Sequence, residues 1–335
     1  MASLSDALLQ AAVVTYLLAM VCYLVEFSFG RRGAVARVAA RPARELVAVG
    51  AGSSVEASSV VDTTPASPVV EARPSRTVAI PAGKAAVVGK VGVGLSILAL
   101  GLHLGVLVAR GFAAGRVPWG NMYEFVLTLT AVAAGAWLVL LLRRPALRHL
   151  GVFVAAVLTL LLGYAAVVLH TAAAPLMPAL NSYWLKIHVT AAASASGLLL
   201  IGFVPAALYL IRAGYDRGSR RFPYSIGRNL PAADTLERLT FRLHTFAFPI
   251  WTLAVICGAI WAEAAWGRYW GWDPKETWSF ISWVAYAAYL HARATPSVKR
   301  TTATWFAVAA WGTMLINLYV INFVAVGLHS YAGVE

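Results

Sequence analysis

An all-α, polytopic integral membrane protein with about eight transmembrane helices is the fold class this sequence predicts, and three observations predict it. Of the 335 residues, 60% are hydrophobic and only 12% are charged, and the mean hydropathy is +0.72. A soluble domain of this size has no means of covering so much apolar surface. The apolar residues are also gathered into runs near the roughly 20 residues that a bilayer-crossing helix needs. Finally, the basic excess, 27 Lys and Arg against 14 Asp and Glu, is collected in short stretches between those runs. That is the bias of cytoplasmic loops in membrane proteins, so no nucleic-acid partner is expected.

The first run, about Leu4 to Phe29, is long enough to span. It lacks the basic n-region and cleavage site of a signal peptide, so it is expected to be retained. Arg31, Arg32, Arg37, Arg41 and Arg44 follow it and place that end in the cytoplasm, with the N-terminus outside. Three divisions result: an N-terminal transmembrane helix over 1–30, a cytoplasmic low-complexity linker over 31–83 rich in Ala, Val, Ser, Pro and Arg, and a seven-helix core over 84–335. Segment two covers about Lys84 to Arg110, and segment three covers Asn121 to Leu142, opened by the capping pattern of Asn121 and Glu124. Arg143, Arg144 and Arg148 turn the chain into segment four, about His149 to His170. The loop from Thr171 to Lys186 holds one basic residue and belongs outside. Segment five runs from about Ile187 to Ile211, and the densest basic loop, Arg212 to Arg242, follows it in the cytoplasm. Segment six covers about Leu243 to Trp261, segment seven Pro274 to Arg293, and segment eight, after Lys299 and Arg300, Thr302 to Val326. The C-terminus is then outside.

The densest chemical signal is Trp266 to Trp278, Trp-Gly-Arg-Tyr-Trp-Gly-Trp-Asp-Pro-Lys-Glu-Thr-Trp. An aromatic belt at the membrane boundary uses the same residue types. The order of residues says more. Gly267 and Gly271 remove side chains between the aromatics, which lets a flat partner approach the backbone. Asp273-Pro274-Lys275-Glu276 then reads as a helix start, with Asp as N-cap, Pro at the first helical position and Glu three residues after the cap. A flat aromatic shelf ending on a helix N-terminus suits a large planar apolar ligand with anionic edges, met by that N-terminus or by Arg268 and Lys275.

Cys22 and Cys257 lie far apart in apolar segments, with no Cys-x-x-Cys pair and no Cys-x-x-Cys-His. Disulfide frameworks, zinc sites and covalent haem attachment to this chain are therefore not expected. The seven histidines sort by depth. His188, at the outer start of segment five, and His329, beyond the outer end of segment eight, share a face with the tryptophans. Either one alone is accounted for as an interfacial polar residue, but the shared face favours a functional role. His291 lies 17 residues on from Pro274, roughly 25 Å along a helix and near the cytoplasmic side. There it is either a snorkelling boundary residue like Arg293 or a ligand, with no obvious second ligand at its depth. His103, deep in segment two, competes for the intramembrane role. His170 is a belt residue or a spare outer ligand, His149 and His244 are read as structural, and Asp273 and Glu124 as helix caps.

The tryptophan stretch resembles the WWD signature of haem-handling proteins of cytochrome c biogenesis. From about Asn121 to the C-terminus the chain resembles the CcsA/ResC family of the system II pathway. The motifs are Trp266-Gly-Arg-Tyr-Trp270-Gly-Trp272-Asp273-Pro274, Ser182-Tyr-Trp-Leu-Lys-Ile-His188, Gly327-Leu-His329-Ser-Tyr and Tyr289-Leu-His291-Ala-Arg. The resemblance implies an outer-face haem-binding segment in which His188 and His329 ligate the iron. Trp266, Gly267, Trp270, Trp272, Asp273 and Trp278 would surround the ring. Two imidazoles beside a stacking platform supply the two axial nitrogens that a haem iron takes. It further implies His291 as a transmembrane iron ligand, with the other ligand supplied by a CcsB/ResB-type partner subunit. Haem b would be the transported substrate, presented to the Cys-x-x-Cys-His motif of an apocytochrome c whose thiols are kept reduced by thiol-reducing pathway proteins. Haem-lyase (synthetase) activity would then require the complex, in a bacterial plasma membrane. Two alternatives stay open: a system I-type haem delivery protein, and a b-type electron-transfer cytochrome pairing His103 with His291. A transporter of another solute finds little support in Glu26 and Glu263, which sit at span boundaries.

Overall fold

A computed structural model describes residues 1–30, 82–176, 182–325 and 327–329. The expected linker falls outside these residues except for its last two positions, which open the second helix. Among these residues eight long helices follow one another: α1 Ala2–Phe29, α2 Ala82–Ala114, α3 Met122–Arg143, α4 Gly151–Val167, α5 Tyr183–Asp216, α6 Ala233–Trp266, α7 Pro274–Ala294 and α8 Arg300–Leu315. The last runs through a π-helical turn, Ile316–Val320, into a final helical turn, Ile321–Val324. No strand occurs among the described residues.

The heart of the bundle is α5, whose apolar window is 67% buried within the chain, against 28% for α1 and for α2. Its run Ala191-Ala-Ala-Ser-Ala-Ser-Gly197 explains that position, because small residues let backbones approach closely where no hydrophobic drive separates helix from lipid. At Gly197 the approach is extreme: a Cβ there would lie 2.5 Å from the carbonyl oxygen of Leu129 on α3. Around α5 pack α3, α6 and α8, while α1 pairs with α2 and reaches α4.

Segment six differs most from expectation. It was expected to start at Leu243, yet α6 begins ten residues earlier, inside the basic loop, and ends at Trp266. Leu236, Thr240, His244, Ala247, Trp251 and Ala254 form one buried stripe at helical spacing, while Arg238 and Arg242 occupy other faces of the same helix. Segment four is shorter than expected, because Pro145–Leu150 forms a 3₁₀ turn before α4 begins.

Seven of the eight helices are long and apolar enough to cross a membrane. The eighth, α7, is 21 residues long but is not among them. It nevertheless runs the length of the bundle, antiparallel to α6 and α8. Trp283 Nε1–H donates to Thr252 Oγ1 (2.9 Å), Thr313 to Ser282 (2.9 Å) and Asn317 Nδ2–H to Ser279 (2.9 Å). These three side-chain bonds tie it to its neighbours, as a polar helix inside a membrane bundle requires.

The ends of the bundle are sorted as the charge pattern predicts. The starts of α1, α3, α5 and α7 share one end with the close of α2, α6 and α8. That tryptophan end is tied by His170 Nε2 to Asp6 (3.3 Å) and by the guanidiniums of Arg110 and Arg116 on Glu124. At the opposite, arginine end, Arg148 bonds Glu26 (2.8 Å) and Arg293 pairs with Glu237.

Candidate functional site

A cavity of about 160 Å³ opens at the tryptophan end between α3, α5, α6, α7 and α8. Both expected outer histidines line it. They arrive by different routes. His188 stands in the second turn of α5, a helix opened by the Ser182 side chain accepting from Trp184 N–H (3.2 Å). His329 lies just past α8, on a short strap that crosses the start of α7. Both rings pack against Trp261 of α6, which lies parallel to the His188 ring (6° between planes, centroids 5.9 Å apart) and edge-on to that of His329 (5.8 Å).

The hydrogen bonds of the two imidazoles set their chemistry. His188 Nδ1 is 2.8 Å from the carbonyl oxygen of Ala254. A carbonyl only accepts, so Nδ1 carries the proton and Nε2 the lone pair. His329 Nδ1 is 2.8 Å from Asp273 Oδ1, with the same consequence for an ionised carboxylate. Both are the arrangement of a metal-binding histidine whose far nitrogen is oriented by an oxygen. Room for His188 comes from Gly258, where a Cβ would lie 2.8 Å from the ring.

Asp273 is the hinge of the arrangement. It caps α7 by accepting from Lys275 N–H (3.1 Å), with Glu276 returning the bond to the Asp273 N–H (3.1 Å), so the expected capping box is present. Its other oxygen takes the N–H of Leu328 (2.7 Å), which fastens the strap carrying His329. Burial pushes the Asp273 carboxyl up, but the hydrogen bond from His329 and the backbone N–H groups of Leu328 and Lys275 together outweigh it. The group is held below its ordinary value and stays ionised at neutral pH.

The tryptophans are not a flat shelf. Trp261 and Trp266 meet at 64°, Trp266 and His329 at 73°, Trp270 and Trp272 at 90°. Edge-to-face packing satisfies the ring quadrupoles better than a coplanar stack. Trp266 and Trp270 line the cavity, whereas Trp272, 68% exposed, and Trp278 do not. Trp272 also has φ = 58°, a left-handed conformation unusual for a bulky residue, which turns the chain into the Asp273 cap. The glycines serve the backbone. Gly267 ends α6 at φ = 69° with its N–H on Glu263 O (2.8 Å), and a Cβ at Gly271 would collide with the Arg268 guanidinium.

The remaining histidines stay apart from the cavity. His291 is exposed on α7 near the arginine end. His244 is fully buried between Gly202 and the rings of Tyr286 and Tyr289, its Nδ1–H given to Thr240 O (2.8 Å). His103 is fully buried and edge-on to Tyr16. His170 pairs with Asp6 and touches Tyr123, and His149 stacks on Phe27. Glu124 is more than a cap. Asn121 accepts its N–H (2.9 Å), but its fully buried carboxylate takes Arg110, Arg116 and the Gly120 N–H (2.7 Å).

Sequence reasoning missed Trp261 and the Ala254 carbonyl. A signal for the first existed: Trp251, Ala254, Gly258 and Trp261 fall on one helical face, all lining the cavity. The second is a backbone group and leaves no trace in side-chain pattern.

Comparison with known proteins follows the same residues. The family model described as Cytochrome C assembly protein matches residues 119–329. The chain is 35% identical to the cytochrome c biogenesis protein CcsA of Guillardia theta, over 72% of this chain and 85% of that one. It is 31% identical to CcsA of Gloeobacter violaceus, over 72% and 86%, and 31% identical to CcsA of Chlamydomonas reinhardtii, over 74% and 69%. Among solved structures, the cytochrome c heme lyase CcmF superposes with a TM-score of 0.59 at 15% identity, covering 95% of this chain and 46% of CcmF. The chain thus spans less than half the length of that structure, and the likeness speaks for a shared fold.

Proposed function

The chain belongs to the cytochrome c assembly protein family, and on that premise we propose that it carries haem b across a membrane and presents it to apocytochrome c for thioether attachment. In this reading it is one subunit of a system II synthetase, with a CcsB/ResB-type partner and with the tryptophan end on the outer face of a bacterial plasma membrane. The arginines gathered at the opposite end support that orientation.

One observation carries the reading: His188 and His329, 141 positions apart in the sequence, both pack against Trp261 at one cavity with both Nδ1–H groups given to oxygens. The donor set fits a haem iron. The cavity is smaller than the roughly 300–1,000 Å³ of sites that enclose drug-sized ligands, so a tetrapyrrole enters only if the tryptophans at its mouth give way. Those side chains meet edge to face, without hydrogen bonds between them.

The chemistry that follows is addition of two apocytochrome thiols across the two vinyl groups of the haem. Each S–H supplies the sulfur to one vinyl carbon and the proton to the other, with no net redox change. The chain's contribution is positional. Holding the vinyl edge still while the Cys-x-x-Cys-His segment docks converts a bimolecular encounter into an effectively unimolecular one. The histidine of that segment then replaces one of the two outer ligands and releases the product. Exposed His291 is the ligand through which haem arrives, completed by a histidine of the partner subunit.

The test is reduced-minus-oxidised haem spectroscopy on the purified chain, with and without its co-expressed partner, for wild type and the His188→Ala, His329→Ala, His291→Ala and His149→Ala variants. We expect a low-spin haem signal that His188→Ala and His329→Ala abolish or alter and His149→Ala leaves intact. A wild-type complex that carries no haem would end the reading.

A further inference from the structure

We infer that the ammonium of Lys275 is the seat for a carboxylate of the bound tetrapyrrole, which fixes the edge of the ring that enters the cavity; the inference rests on the haem reading above. Lys275 lines the cavity beside His188 and His329. Its only hydrogen-bond acceptor among the described residues is the thioether of Met122, with Nζ to Sδ 3.5 Å, and a thioether accepts weakly. None of the ion pairs among the described residues includes it.

The carboxylates around it are committed elsewhere. Glu124 is held by Arg110 and Arg116, and Asp273 by His329, Leu328 N–H and the backbone N–H of Lys275 itself. Glu276 gives one oxygen to the N–H groups of Gly271 and Asp273, and its other oxygen makes no hydrogen bond, to Lys275 or to any other described residue. Arg268, the other cation of the tryptophan stretch, packs over Gly271 and does not line the cavity.

The position of Lys275 also runs against local preference. It stands in the first turn of α7, directly after Pro274, where the helix macrodipole favours anions and disfavours a cation. A residue that breaks the local rule and holds its ammonium outside any ion pair at a largely apolar cavity marks a place where a ligand supplies the acceptor. The ligand that satisfies both walls has an apolar, planar body for Trp261, Trp266 and Trp270 and a carboxylate for Lys275. Haem carries its two propionates on one edge and its vinyls away from them. A propionate on Lys275 leaves the vinyls turned away from the start of α7 and available to incoming thiols.

The test titrates the purified full chain in complex with its co-expressed partner, in detergent, with hemin and with hemin dimethyl ester, whose carboxylates are masked, following the Soret band. The proteins are wild type, Lys275→Met, Lys275→Arg and His329→Ala. Wild type should bind hemin about tenfold or more tightly than the ester, the usual worth of a charge-assisted hydrogen bond. Lys275→Met should lose that preference by weakening hemin alone, and Lys275→Arg should keep it. If both ligands bind wild type with a spectrum that His329→Ala alters, and Lys275→Met still prefers hemin, the carboxylate seat is wrong and the haem reading stands. If Lys275→Met weakens both ligands equally, the lysine is a packing residue and the inference falls. If wild type binds neither, the haem reading falls and takes this inference with it.

Discussion

At the tryptophan end, His188 and His329 come from α5 and from the strap beyond α8, pack against the same indole, and each give Nδ1–H to an oxygen. At the arginine end, His291 stands exposed on α7, while His244 on the neighbouring α6 is buried against Tyr286 and Tyr289. His244 even shares the hydrogen-bond pattern of His188, with Nδ1–H on a backbone carbonyl and a glycine making room for the ring. Among the described residues no second imidazole packs beside it. An oriented histidine is thus common to both ends; among the described residues, the two imidazoles that meet at one cavity are those of the first.

The largest effect expected from breaking this contrast concerns how rigidly each end is held. Glu124→Ala strands the buried guanidinium of Arg110 and frees that of Arg116, and should lower stability by about 3–5 kcal/mol, read as a drop in the thermal unfolding midpoint in detergent. Glu237→Ala, whose partner Arg293 is 18% exposed, should cost less. Equal losses would mean that the two ends are held alike.

Gly258→Ala and Gly202→Ala form a sharper pair. Each added methyl would press on a histidine ring, 2.8 Å from His188 and 2.7 Å from His244. Both should destabilise by about 1–3 kcal/mol through overpacking, but only Gly258→Ala should perturb the haem spectrum. A spectral change from Gly202→Ala would bring His244 into the site.

Asp273→Asn retains a good capping side chain, so its cost in stability should stay below about 1 kcal/mol. It removes the charge that orients His329, and haem affinity should fall about 10- to 100-fold, measured by Soret titration. The smallest effect is expected from His291→Ala in the isolated chain. An exposed substitution should move stability by no more than about 0.5 kcal/mol and leave the haem signal of the tryptophan end unchanged. In the complex with the partner, the same change should remove haem from the arginine end.

How much of this was legible in the sequence depended on whether the signal was local. The capping box at Asp273 and Glu276 was read correctly because every part of it lies within four residues. The grouping of loops at two ends was legible from Arg143, Arg144, Arg148 and the arginines after Ile211, since charge bias acts loop by loop. The start of α6 was not, because Arg238 and Arg242 interrupt in sequence a stripe that is continuous only on a helix surface. The second function of Asp273, on His329 and Leu328, joins residues 55 and 56 positions apart, and no spacing rule spans that distance. Trp261 was passed over because a lone tryptophan closing an apolar run reads as a boundary residue, and its role emerges only from the two rings packed on it.

The polar character of α7 has a consequence for how the protein is made. A helix with Glu276, Ser279, Ser282 and His291 along it gains little by leaving water alone, and the hydroxyl and amide partners of its serines, Thr313 and Asn317, lie on a helix synthesised after it. Its place in the bilayer is therefore settled jointly with α8, as a hairpin delivered against a waiting α6. During synthesis the strand of chain from Asp273 to Ala294 must linger near the insertion machinery until its successor emerges, and the carboxylate that later positions His329 is the last part of the site to meet its partner.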